Sequence, residues 1–422
     1  MQVLIHKAKI IDPQSEFHDQ VVDVLVEDGV IKKIAGSIDG KSATVIEAKG
    51  LCVSPGWVDV FADYREPGFE QKETIQSGLA AAAAGGFTDV MLVPNTQPAI
   101  STKSIVQFVL QKANGNVVGV HPIGAATQNA EGKDLAEMLD MRANGAIAFS
   151  DGWKPVQKAN LMLKAFEYVK AFHGTIIQLP VDASLASGGL MNEGIVSTGL
   201  GMAGIPALAE SLMVHRDIEL LRYTGSKLHI TGVSTAETLD MIRKAKTEGL
   251  EVTCSVTPYH LALTDESLTS YDSAYKVSPP LRGEADRMAL IAGVKDGTID
   301  CIASHHRPHE WDAKTKEFEY ASEGMAVQES TFNILWDTLK EYITVERLVE
   351  MLTIMPRAIF GLETHEISKG QKAVLTLFTT NGSTTLSESN ARSISVNNPF
   401  TGKKLSGKVV GIINNGQLYL NK

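Results

Sequence analysis

From Cys52 onward the chain alternates short apolar runs with longer amphipathic ones, and this alternation constrains the fold more than any other feature. The runs GFTDVMLVP, VVGVHPIGAA, GAIAFSD, GTIIQLP, KLHITGVS, EVTCSVTP and DCIASHH read as buried parallel strands. Between them lie ETIQSGLAAAAAG, DLAEMLDMRANG, KANLMLKAFEYVKAF, IELLRYTG, TAETLDMIRKAKTEG and RMALIAGVKDG, which read as helices. With the opening run WVDVF at 57–61 this makes eight strand-then-helix alternations, which predicts a parallel (β/α)8 barrel.

The two ends of the chain have a different texture. QVLIHKAKI, VVDVLVEDG, VIKKIAG and ATVIEAKG are short strands punctuated by Gly and Asp, and AVLTLF and KVVGIINNGQLYL return to that pattern in the tail. Residues 1–52 and 367–422 are expected to pair into a small β-sandwich beside a barrel spanning 53–366. A net charge of -10 and the lack of a basic run argue against nucleic acid as a partner. No apolar run reaches ~18 residues and no signal peptide opens the chain, so a cytoplasmic protein without a membrane partner is expected. Cys52, Cys254 and Cys301 are far apart and form no CxxC, which does not suggest a disulfide framework.

In parallel barrels the chemistry sits at the C-terminal ends of the strands. Here those ends carry Asp59, Asp63, Asn95, Asp151, Gln178, His229, His260 and the cluster from Ser304 through His305, His306, Arg307 and Pro308 to His309. Each also has a plain structural role open to it: His229 as a core-edge residue, His306 bonded to a carbonyl, Asp151 capping a turn, Asp59 orienting a loop.

At these residues the sequence resembles the amidohydrolase superfamily, and within it the dihydroorotases. REPGFEQKETI, GGFTDVMLVPNTQP, the span from AGIPALAES to HITGVST, VTCSVTPYHLALT, KVSPPLR, DGTIDCIASHHRPH and NPFTGKKLSGKV follow in the family's order over nearly the whole chain. The resemblance implies a zinc-dependent cyclic-amide hydrolase, but the positions it assigns to metal and catalysis depart from the family's pattern. The histidines of the family's Asp-x-His-x-His correspond to Phe61 and Asp63. Its Phe-x-Asp-Asp-Gly turn is reduced to one carboxylate, Asp151. Two further metal histidines correspond to Gln178 and Gly232, and the catalytic Asp of Ala-Thr-Asp-His-Ala-Pro-His corresponds to His305.

A catalytic zinc needs about three protein ligands and an open position. Phe61 and Gly232 offer none through their side chains, and Gln178 is a poor one. No metal or other cofactor is therefore expected, and His305 would have no activated water to deprotonate. A rearranged zinc site using Asp63, Asp151, His229, His305 or His306 stays open, and with it an active dihydroorotase or allantoinase-like hydrolase. The residues that the resemblance assigns to the substrate carboxylate are present as Arg65, Asn95 and His309, although Ser278 stands where the family usually has Asn. These three can hold a carboxylate or merely stabilise loops. The reading is a dihydroorotase-like protein of pyrimidine biosynthesis without hydrolase activity. It binds dihydroorotate or carbamoyl-aspartate, or serves as a homodimeric structural partner of aspartate carbamoyltransferase.

Overall fold

The computed structural model describes residues 1–40, 43–395 and 397–421. Eight strands form one continuous parallel sheet: Trp57–Ala62, Phe87–Leu92, Gly119–Gly124, Ala148–Phe149, Ile176–Gln178, Leu228–Thr231, Val252–Val256 and Cys301–Ile302. They are the strands expected from the sequence. A parallel bridge between Ala62 and His306 brings the chain beyond the last strand back to the first, so the barrel is nearly closed.

Two apolar layers hold it. Val58, Val60, Phe61, Met91, Ile123, Ala148, Ile177 and Cys301 come from six different strands and fill the interior. The outer strand faces and the helices share a second, larger core, which includes Trp57, Leu79, Val90, Phe166 and Leu239. The alanine-rich helix Ile75–Ala84 starts at Thr74, whose side chain accepts from the Ser77 amide at 3.1 Å while Ser77 Oγ accepts from the Thr74 amide at 3.0 Å. Its small side chains permit close approach: a Cβ at Gly78 would stand 2.4 Å from the Tyr64 ring. Among the described residues no helix is long and apolar enough to cross a membrane.

Both termini build one further eight-stranded sheet of mixed direction. Its order is Gln417–Leu420, Lys404–Asn414, Leu375–Thr385, Leu51–Pro55, Gln2–Ile10, Val21–Glu27 and Val30–Ala35, with Thr44–Ile46 also paired to Gln2–Ile10. The small β unit expected from the termini takes this form, with a core of its own that includes Val3, Ile5, Val24, Val53, Leu377 and Ile413.

At the end of the barrel away from the loops, Arg357 ties the last helix to the first strands. Its Nη2 donates to Asp89 Oδ2 at 2.7 Å and to the Gly56 carbonyl at 3.1 Å, while His121 Nε2 lies 2.9 Å from Asp89 Oδ1. Burial would raise the Asp89 pKa, but the His121 hydrogen bond and the Arg357 charge outweigh it and hold the carboxyl well below the usual range. Arg357→Met leaves Asp89 without its main counter-charge and is expected to cost about 3–5 kcal/mol. Urea unfolding at pH 7 checks this: an unchanged midpoint would show that the pair contributes little.

Candidate functional site

The mouth of the barrel is organised around three rings. Phe61, fully buried at the end of the first strand, lies 5.1 Å from the Trp153 ring and 4.7 Å from the His305 ring, and Trp153 and His305 are 5.3 Å apart. The three fill the space in which side chains from the first, fourth and eighth strand ends would otherwise converge.

The polar residues around them are bonded elsewhere. Asp63 Oδ2 accepts from Trp153 Nε1 at 2.7 Å and pairs with Arg65 Nη1 at 3.1 Å, and Asp63 Oδ1 accepts from the Arg65 amide. Asp151 accepts from the Thr127 amide at 2.9 Å and from its hydroxyl, and burial raises its pKa. Gln178 closes on the backbone of Val156. Gly232 has φ +73°, and a Cβ there would stand 2.5 Å from His305 Cε1, so the His305 ring occupies the room a side chain at 232 would need. His305 shares Nε2 with Thr231 Oγ1 at 2.7 Å, and burial drives its pKa well below the usual range.

His229 and His260 are similarly engaged. His229 lies between Thr253 Oγ1 and Ser255 Oγ, and burial pushes its pKa down to about 3. His260 lies between Thr257 Oγ1 and the Pro279 carbonyl, and burial lowers its pKa to about 4. His306 Nε2 lies 3.5 Å from Glu73 Oε2. Asp59 accepts from the Ser304 amide at 2.9 Å and from Gln328 Nε2 at 2.6 Å, which sets the loop after the last strand.

Among the described residues no three His, Cys, Asp or Glu side chains converge closely enough to share a metal ion. The donor set at the mouth therefore does not fit a zinc ion, which needs about three such ligands on one point.

The carboxylate-holding candidates separate. Arg65 and Asn95 line one cavity of about 230 Å³, together with Thr96, Gln97, Trp153 and Arg307. Arg65 is buried with φ +61°; its Nη1 faces Asp63, while Nε and Nη2 have no hydrogen-bond partner among the described residues. Asn95 is committed to the neighbouring turn: Nδ2 donates to the Asp151 carbonyl at 3.0 Å and Oδ1 accepts from the Trp153 amide at 2.9 Å. His309 is not part of this lining. Its Nε2 lies 2.9 Å from the Glu323 carbonyl and its Nδ1 3.4 Å from Lys72 Nζ, and burial lowers its pKa to about 2. A second cavity of about 670 Å³ is lined by Ala130, Trp153, Lys154, Leu179, Ser278 and Glu323 among others; it shares Ala130, Trp153 and Lys154 with the first.

Two residues gain importance that sequence reasoning did not assign. Trp153 links Phe61, Asp63 and His305, and the Arg307 guanidinium lies 4.5 Å over its ring. The only signals were an aromatic residue just past a strand-end turn and an arginine inside the strand-eight cluster.

The Dihydro-orotase-like family matches residues 50–238. A dihydroorotase of Acetivibrio thermocellus is 38% identical over 423 residues, covering 100% of this chain and 99% of the relative. The chain belongs to the dihydroorotase family. A second dihydroorotase, of Syntrophus aciditrophicus, is 39% identical and covers 99% of both chains. Among solved structures, L-hydantoinase (dihydropyrimidinase) from Arthrobacter aurescens superposes with a TM-score of 0.87 at 22% identity, covering 100% of this chain and 96% of the other. Dihydropyrimidinase from Brevibacillus agri gives 0.84 at 21% identity, with 100% and 95% covered. These two establish that this member of the dihydroorotase family shares their fold.

Proposed function

We propose that this chain is a dihydroorotase-family protein of pyrimidine biosynthesis that binds a small carboxylate without hydrolysing it. The observation that carries this reading is the packing of Phe61, Trp153 and His305 into one another at the barrel mouth, beside an arginine whose Nε and Nη2 are buried without a hydrogen-bond partner among the described residues. Five positions that the resemblance assigns to metal or catalysis are Phe61, Asp63, Gln178, Gly232 and His305. Each is apolar, without a side chain, or bonded within the protein. Asp151, the sixth, is bonded to Thr127. Metal-polarised attack on a cyclic amide has no support in such a set.

What the mouth retains is recognition. Nε and Nη2 form the side-on edge of a guanidinium, the face that grips a carboxylate through two parallel hydrogen bonds. Arg65 lines the 230 Å³ cavity, and among the described residues that edge of it is buried without a hydrogen-bond partner. Dihydroorotate or carbamoyl-aspartate is expected to bind with a Kd on the order of 0.1–1 mM. Calorimetry checks it: Arg65→Ala should weaken binding at least about tenfold. Undetectable binding at about 10 mM ligand, or binding indifferent to Arg65→Ala, would mean that Arg65 is scaffold. Homodimerisation and a partnership with aspartate carbamoyltransferase belong to the same proposal, because a complete barrel retained without chemistry at its mouth leaves its surface as the useful part. Light scattering with and without the transferase tests that.

A further inference from the structure

We propose that the 670 Å³ cavity beside the barrel mouth takes an amphipathic anion, its apolar tail on the walls and its acidic head against Lys154 and Lys158. This ligand class is separate from the small carboxylate proposed for Arg65, which does not line this cavity.

Segments that follow the third, fourth and fifth barrel strands build most of the cavity. The fourth supplies Trp153 and Pro155, and the long excursion after the fifth supplies Leu179, Val181, Ala186 and Ile205. Leu, Val and Ile side chains on a wall favour an apolar tail over a polar ring. The walls are also tied to each other before any ligand arrives. Gln157 on one wall donates from Nε2 to the Val181 carbonyl at 3.0 Å and accepts at Oε1 from the Ala183 amide at 2.9 Å on the other. Buried Arg282 donates from Nη1 to the Ile205 carbonyl at 3.0 Å and to Asn192 Oδ1 at 3.0 Å, and Asn192 pairs in register with Ile205. A tail therefore meets a surface that is already formed, so little ordering opposes binding.

Charge at the rim selects the head. Glu131 pairs with Lys133 at 2.9 Å, and Glu323 with Arg307 at 3.7 Å. Lys154 and Lys158 line the cavity, are exposed, and form no salt bridge among the described residues. An acidic head is attracted by both ammonium groups, whereas a cationic head on the same tail is repelled by them. The cavity has about three times the volume of the one at Arg65, which leaves room for a tail that dihydroorotate lacks.

Calorimetry at pH 7 on the full chain, with butyrate, octanoate and octylammonium as probes, tests this. Full burial of one CH₂ gains about fourfold in affinity, so octanoate should bind at least about tenfold more tightly than butyrate. Octylammonium has the same tail and the opposite charge. It should bind at least about fivefold more weakly than octanoate, and rising ionic strength should narrow that gap. Both comparisons use the unmodified chain, so neither depends on a variant that folds. Lys154→Glu combined with Lys158→Glu, at two exposed positions, should reverse the preference between the two heads. Val181→Asn should weaken octanoate and leave butyrate within about twofold. Arg65→Ala should leave octanoate within about twofold, because its guanidinium lies outside this cavity. Octanoate that binds no more tightly than butyrate, octylammonium that binds as tightly as octanoate, or no octanoate binding at all would overturn the proposal. Loss of octanoate binding in Arg65→Ala, with no effect of the two lysine changes, would place the ligand in the other cavity and overturn it equally.

Discussion

Dihydroorotate incubated with the purified chain at pH 7 is expected to be opened far more slowly than about 1 s⁻¹, the low end of ordinary enzymes. Hydrolysis of a cyclic amide needs a nucleophile stronger than water and a stabilised oxyanion. A metal supplies both by lowering the pKa of bound water from about 15.7 to about 7 and by polarising the carbonyl. Among the described residues no three His, Cys, Asp or Glu side chains converge on one point. His305 is neutral at pH 7 and could accept a proton in principle. It packs against Phe61 and Trp153, shares Nε2 with Thr231, and lines neither the 230 Å³ nor the 670 Å³ cavity. A substrate held by Arg65 in the 230 Å³ cavity is therefore not expected to reach that ring. His305→Ala is expected to leave any residual rate unchanged. Turnover at or above about 1 s⁻¹ that His305→Ala abolishes would contradict this account.

The second large effect concerns acid. His229, His260 and His309 are buried, with folded-state pKa values of about 3, 4 and 2 set first by burial, against about 6.5 in the unfolded chain. As pH falls through 6.5 the unfolded chain takes up protons that the folded chain does not, so stability is lost. Each histidine accounts for about 1.4 kcal/mol per pH unit, or about 2 kcal/mol by pH 5. Asp217 works the other way. Burial raises its folded pKa to about 6, so the folded form gains a proton first as pH falls below that, returning about 1.4 kcal/mol by pH 5. The combined contribution of these four groups, a loss of about 4 kcal/mol between pH 7 and pH 5, is a large share of a typical stability of about 5–15 kcal/mol. Urea unfolding at pH 7, 6 and 5 should show a steady fall in midpoint. A flat series would mean that these rings are protonated in the fold.

The barrel was legible because its strands carry a local signal. Short apolar runs such as GFTDVMLVP and EVTCSVTP can only be buried on both faces, and the helices between them force parallel pairing. The arrangement of the terminal strands was less legible: both ends read as β, but no local pattern tells one continuous sheet from two facing ones. At the mouth, the unusual residues Phe61, Gly232 and His305 could be picked out singly. That the His305 ring fills the space beside Gly232, and that Trp153 binds Asp63 while supporting Arg307, depends on residues far apart in the chain. The same holds for Asn95 and His309, whose polar atoms are bonded to the 151–153 turn and to the Glu323 carbonyl and Lys72. Arg307 was visible only as one more cation in a polar cluster, because burial and missing partners are properties of packing.

The central claim is that the mouth of this barrel recognises a carboxylate without a metal. It is tested most directly by equilibrating the purified chain with Zn²⁺, removing unbound ion, and measuring zinc per chain by elemental analysis. The account predicts far less than one zinc per chain, with carboxylate binding unchanged by the treatment. One or more zinc ions per chain, with anomalous density near Asp63 or His305, would contradict it.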